Sequence, residues 1–119
     1  MERVTAEKVL AAYEATGMVP IQCEWYNSDS AGKLCGCGLT ALIAARGESP
    51  HISFIRDLGH PMRFMAEKLE LDEDYIQGFI FGFDDSIRDV DKFPVPFKEG
   101  HSDGQSSWEA VKHLAVSGQ

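Results

Sequence analysis

The stretch "LDEDYIQGFIFGFDD", residues 71–85, constrains the fold more than any other part of the chain. Asp72 stands where an N-cap would, and Leu71 with Ile76 has the spacing of a hydrophobic staple, so the segment reads as a helix over 73–84. Such a helix carries aromatic and aliphatic side chains nearly all round, which suits only a central, buried element. Gly78 and Gly82, four apart, fall on one face and let a second backbone come close. The alternation of Phe79, Phe81 and Phe83 also fits a strand, and the caps tip the reading to helix.

Around this centre, "VTAEKVLAAYEATGM" has both helix ends marked. Thr5 is the N-cap, Val4 and Val9 form a staple, and Gly17 is the left-handed residue after the last turn, with Met18 folding back on Tyr13. In "VPIQCEWYN" the residues Ile21, Cys23 and Trp25 alternate with polar ones, the period of a half-buried strand, and "NSDSAGK" follows as a loop. A helix over about 38–46 ends at Gly47. Ser49 and Pro50 offer the start of a short helix that Gly59 stops, and Met62, Met65 and Leu69 face inward from the next.

Pro94 and Pro96 argue against helix in "DKFPVPFKEGHSDGQ", which reads as an extended strap laying Phe93 and Phe97 on the core. The last helix then opens at Ser106, in capping-box spacing with Glu109, and turns Trp108, Val111 and Ala115 inward. The expected fold is mainly α within the α+β class: a compact bundle of four to five short helices with a small β-strand element near 19–26, paired with the 92–99 strap. Residues 1–119 read as a single globular domain, since 119 residues lie within the usual range for one core.

Charge is distributed unevenly. Residues 67–103 hold eleven Asp or Glu against four Lys or Arg, a net of −7 out of −8 for the whole chain. An acidic face repels phosphate backbones and steers basic partners, so direct nucleic-acid binding is disfavoured and a protein with a basic surface is the expected partner. The N-terminal "MERVTAEKVL" lacks an apolar h-region and no apolar run approaches a membrane span, so the expectation is a soluble, cytoplasmic protein with no membrane partner. Three cysteines cannot all pair within one chain, which fits a reducing compartment.

The phrases "AYEATGMVP", "CGCGLTAL", "DYIQGFIFGFDD" and "GHSDGQSSW" resemble a set of small bacterial and phage proteins of uncharacterised function. That resemblance spans most of the chain, implies no activity and assigns no functional residue. Its phage-like context fits an inhibitor or accessory factor.

The one ambiguous chemical signal is "KLCGCGLTALIAARG". If a helix starts at Gly38, Cys37 stands at its N-terminus, where unpaired amides lower a thiol's pKa, and Gly36 and Gly38 leave room for a carbonyl to approach. His101, in a polar "EGHSDG" loop with Asp103 nearby, and His51 are the candidate bases, ahead of His60; His113 suits the carbonyls at the end of the last helix. The same stretch is also rich in small residues that let a helix pack tightly, and free Cys is among the most buried residue types. A metal site from Cys23, Cys35, Cys37 and His51 lacks the usual ligand spacing, because C-x-C leaves one residue where structural zinc sites leave two to four. The run Asp84, Asp85, Asp89 and Asp91 lacks the central glycine and closing Glu of a calcium loop. Asp84 and Asp103 could pair as acid and base.

No cofactor and no metal is expected. The function expected from these features is macromolecular binding by a small acidic domain. The alternative is a cysteine-dependent hydrolase or transferase with Cys37 as nucleophile and His101 or His51 as base.

Overall fold

A computed structural model describes residues 3–22, 26–28, 34–47, 61–85 and 89–117, and the fold is mainly helical. The described helices are α1 (Ala6–Thr16), α2 (Gly38–Ala45), α3 (Pro61–Leu69), α4 (Glu73–Phe83) and α5 (Val95–Ser117); three short strands, β1 (Val19–Pro20), β2 (Tyr26–Ser28) and β3 (Leu34–Gly36), form one sheet.

Helix α1 ends as its sequence dictates. Thr5 accepts from the Lys8 amide at 3.2 Å, and Gly17, at φ 71°, donates its amide to the Tyr13 carbonyl. Val4, Val9, Tyr13 and Met18 are all buried. Asp72 caps α4 by accepting from the Asp74 amide at 2.8 Å. The turn before it is tight: Glu70 takes φ 57° and the Leu71 amide reaches back to the Ala66 carbonyl at 2.9 Å, closing α3 in the manner of a Schellman ending.

Helix α4 is the centre of the molecule. Tyr75, Ile76, Phe79 and Phe83 are fully buried, and burial of each such side chain contributes roughly 1.5 to 3 kcal/mol. Gly78 and Gly82 lie against the backbone of α5: a Cβ on Gly78 would stand 2.0 Å from the Phe97 carbonyl oxygen, and one on Gly82 2.1 Å from that of His101. The relation is reciprocal. Gly100 and Gly104 of α5 leave the same space for the Tyr75 and Phe79 carbonyls. These pairs advance in the same direction along both helices, so α4 and α5 run parallel with their backbones in contact.

Two expectations are corrected here. The strap is absent: residues 95–117 are one helix, because Pro94 precedes the helix and Pro96 falls in its first turn, where no amide is needed. The Lys98 amide donates to the Pro94 carbonyl at 3.1 Å, passing over Pro96, and the helix runs through Ser106 without a break. The strand near residue 19 therefore has no strap to pair with. It is interrupted after Pro20, and β1 pairs in parallel with β3 (Val19 with Cys35), which also pairs antiparallel with β2 (Asn27 with Cys35). In the order β1-β3-β2, Pro20 sits on an edge strand, where a missing donor is tolerated.

The positions Cys23, Trp25, the segment from Ser49 to Gly59, and the side chains of Met62 and Ala115 lie outside the described residues.

Candidate functional site

Cys37 is the N-cap of α2, the position its sequence suggested, with extended backbone at ψ 169° and its carbonyl accepting from Ala41 at 3.1 Å. Its side chain is only 4 % exposed. Phe79 and Val9 close over the start of α2; a Cβ on Gly38 would touch the Phe79 ring and Val9 Cγ1 at 3.2 Å. Small residues here let α2 seat against α4 and α1.

Burial decides the state of the thiol. It pushes the Cys37 pKa up, against the downward pull of the Thr40 hydroxyl and of the Thr40 and Leu39 amides, and the Asp84 carboxylate adds to the rise. The lowered pKa expected for a helix N-terminus is therefore reversed. The amides do act as the sequence implied, but removing the sulfur from water costs the thiolate more than they return. Its described hydrogen-bond partner is Thr40 Oγ1 at 3.3 Å, not a histidine.

His101 is in the middle of α5 rather than in a loop, buried at 6 % exposure, with its backbone carbonyl against Gly82. His51 and His60 lie outside the described residues, as does the side chain of Cys35. His113 is exposed near the end of α5. Asp103 is engaged by the Tyr75 hydroxyl and by Arg3, and Asp84 is the residue that ends α4.

The structure builds a polar cluster that the sequence did not announce. The Tyr75 hydroxyl donates to Asp103 Oδ2 and accepts from the Val4 amide at 2.8 Å. Arg3 grips the same carboxylate with two nitrogens, Nε and Nη2, both at 3.0 Å, and reaches Glu99 at 3.2 Å. Burial and the Asp103 carboxylate push the Tyr75 pKa up, and Asp103 does the same to Arg3. The cluster ties the chain's beginning to α4 and α5. Arg3 and Asp103 are a hundred positions apart, and nothing local in either stretch marks the pairing.

An open groove of about 350 Å³ runs between α1 and α2, floored by Ala11, Ala12, Ala15 and Leu42 with Lys8 and Arg46 at its edge. A smaller one adjoins it beside Arg3, Leu69 and Leu71. Neither is lined by Cys37 or His101. Among the described residues no three His, Cys, Asp or Glu side chains converge as a metal site would require. No described helix is long and apolar enough to cross a membrane.

Glu99 and Asp103 belong to the Arg3 cluster, and the exposed carboxylates of residues 67–103 lie on two stretches of the chain. Glu67, Glu70, Glu73 and Asp74 are exposed around the α3–α4 junction, next to the Arg3 cluster; Asp85, Asp89 and Asp91 are exposed in the α4–α5 connection. Comparison with family models, with curated proteins and with solved structures found no match.

Proposed function

We propose that this protein acts by binding a second protein through its acidic surface, the partner presenting Lys and Arg side chains, and that it works as an inhibitor or accessory factor rather than as a catalyst. The observation that carries this reading is the net charge of −7 held by residues 67–103 on side chains that are largely exposed. A field of that sign speeds encounter with basic surfaces and repels nucleic-acid phosphates. The buried, protonated thiol of Cys37 gives no support to the hydrolase alternative.

The test is affinity capture with the tagged protein at about 0.05 M and about 0.5 M salt, between which the Debye length falls roughly threefold. A partner retained only at the lower salt, and lost when Glu67, Glu70, Glu73 and Asp74 together with Asp85 and Asp91 are changed to their amides, supports the reading. Capture unaffected by either change contradicts it.

A further inference from the structure

The grooves beside α1 are lined by charge opposite to that of the chain as a whole. Nineteen Asp and Glu stand against eleven Lys and Arg in the sequence. No described carboxylate lines either groove, whereas Arg3, Lys8 and Arg46 do. The grooves share Lys8, Leu42 and Arg46, which places both cations where an alanine-lined stretch, with Ala11, Ala15 and Ala45, meets a stretch lined by Leu69 and Leu71. Helix α2 carries no carboxylate, and Glu7 and Glu14 of α1 are exposed outside the lining.

Arg3 is already held by Asp103 and Glu99, so the weight of the charge falls on Arg46 with Lys8 beside it. Arg46 Nη1 donates to the Lys68 carbonyl at 2.8 Å, a neutral partner that orients the guanidinium without cancelling its charge, and no described carboxylate pairs with it. The apolar part of the groove suits a helix. Ala11, Ala15 and Ala45 are exposed, and side chains of methyl size let a third helix settle on α1 and α2 at the close end of the usual spacing of roughly 8 to 10 Å between axes. A small ligand needs a concave site that buries most of its surface, and this groove is open. A second copy seated symmetrically would set Lys8 and Arg46 against the same pair, like charge on like.

We infer that the groove between α1 and α2 seats an α-helix of a partner protein, whose apolar stripe lies on Ala11, Ala15, Leu42 and Ala45 and whose Glu or Asp side chains reach Lys8 and Arg46. This site is separate from the acidic surface of residues 67–103 and opposite to it in sign, so it stands or falls independently of the reading above.

Two alanine-rich helical peptides of about 18 residues test it, each with a Leu stripe at i, i+4 and i+7, flanked by Glu in one and by Lys in the other, titrated at low salt into ¹⁵N-labelled protein. The net charge of −8 disfavours the Glu peptide over the molecule as a whole, which makes its binding diagnostic. The expected result is amide shifts centred on residues 8–15 and 42–46, an affinity for that site about tenfold or more above that of the Lys peptide, and loss of binding as salt rises. Lys8→Gln with Arg46→Gln should weaken the Glu peptide by about tenfold. Ala15→Gln, at an exposed position and with a good helix former, should block it while melting close to the wild type. An absence of shifts at these residues, equal affinity of the two peptides for them, or binding that survives Ala15→Gln overturns the inference. So does a different occupant: concentration-dependent shifts at the same residues without peptide would assign the groove to another copy of this chain, and dodecanoate binding there more tightly than the Glu peptide, below its micelle concentration, would assign it to an anionic amphiphile.

Discussion

Replacing Gly78 with alanine should destabilise the protein, although helix propensity alone predicts the reverse. In an exposed helix the change gains about 1 kcal/mol. Here the new Cβ would lie 2.0 Å from the Phe97 carbonyl oxygen and under 3 Å from its carbonyl carbon and Cα. Ordinary contact needs about 3.4 Å, so α4 and α5 must part by more than an ångström, and rigid backbone has no rotamer by which to yield. Overpacking of this kind costs roughly 1 to 3 kcal/mol and sits at the upper end when the obstacle is backbone. Less the propensity gain, the net loss is about 2 kcal/mol, or a fall in Tm of roughly 6 to 12 °C for a chain of this size. Thermal unfolding followed by circular dichroism measures it. The reciprocal contact adds a sharper test: once Gly78→Ala has parted the helices, Gly100→Ala should cost less than it does alone, so the double variant falls short of additivity. A raised Tm for Gly78→Ala, or strict additivity of the pair, would refute the backbone contact.

Cys37 should label slowly with iodoacetamide at about pH 6, below the rate of an unstructured cysteine, when read peptide by peptide by mass spectrometry, and Cys37→Ala should cost about 1 kcal/mol or less; fast labelling suppressed by His101→Ala would promote the catalytic alternative. The folded pKa values of Cys37 and Tyr75 are both raised, so each contributes stability that is complete below its unfolded value and lost as pH rises through the folded one. Unfolding free energy should therefore hold up to about pH 8.5 and decline above it, and Cys37→Ala should delay the onset. Tyr75→Phe leaves the Val4 amide without its partner and should cost about 1 to 3 kcal/mol by chemical denaturation. Ser107, whose buried hydroxyl finds no hydrogen-bond partner among the described residues, should tolerate alanine with a Tm unchanged or raised; a clear fall would mean the hydroxyl is engaged.

Local signals carried the sequence reading where the physics is local. Thr5, Gly17, Asp72 and Gly47 each act within a turn of themselves, and the structure places all four at helix ends. Gly78 and Gly82 were legible because a helix apolar nearly all round must be central. Pro94 and Pro96 misled for a positional reason: proline excludes a helix interior but suits its first turn, and only the path of the chain tells which applies. The polar, glycine-rich "EGHSDG" looked like a loop because its glycines answer to α4, a constraint from another helix. Cys37 shows the same division. Its place at the start of α2 followed from the glycines around it, whereas the sign of its pKa shift depends on Phe79 and Val9 closing over that helix end. The Arg3–Asp103 pair lay beyond any local rule.

The binding claim is tested most directly by the association rate of a captured partner, followed by stopped-flow fluorescence across ionic strength. An encounter steered by the charge of residues 67–103 should slow by tenfold or more between about 0.02 M and about 0.5 M salt, and most of that dependence should vanish when the exposed carboxylates of this segment are changed to amides. A rate that is flat with salt in the wild type, or a salt dependence that survives those substitutions, would contradict the account.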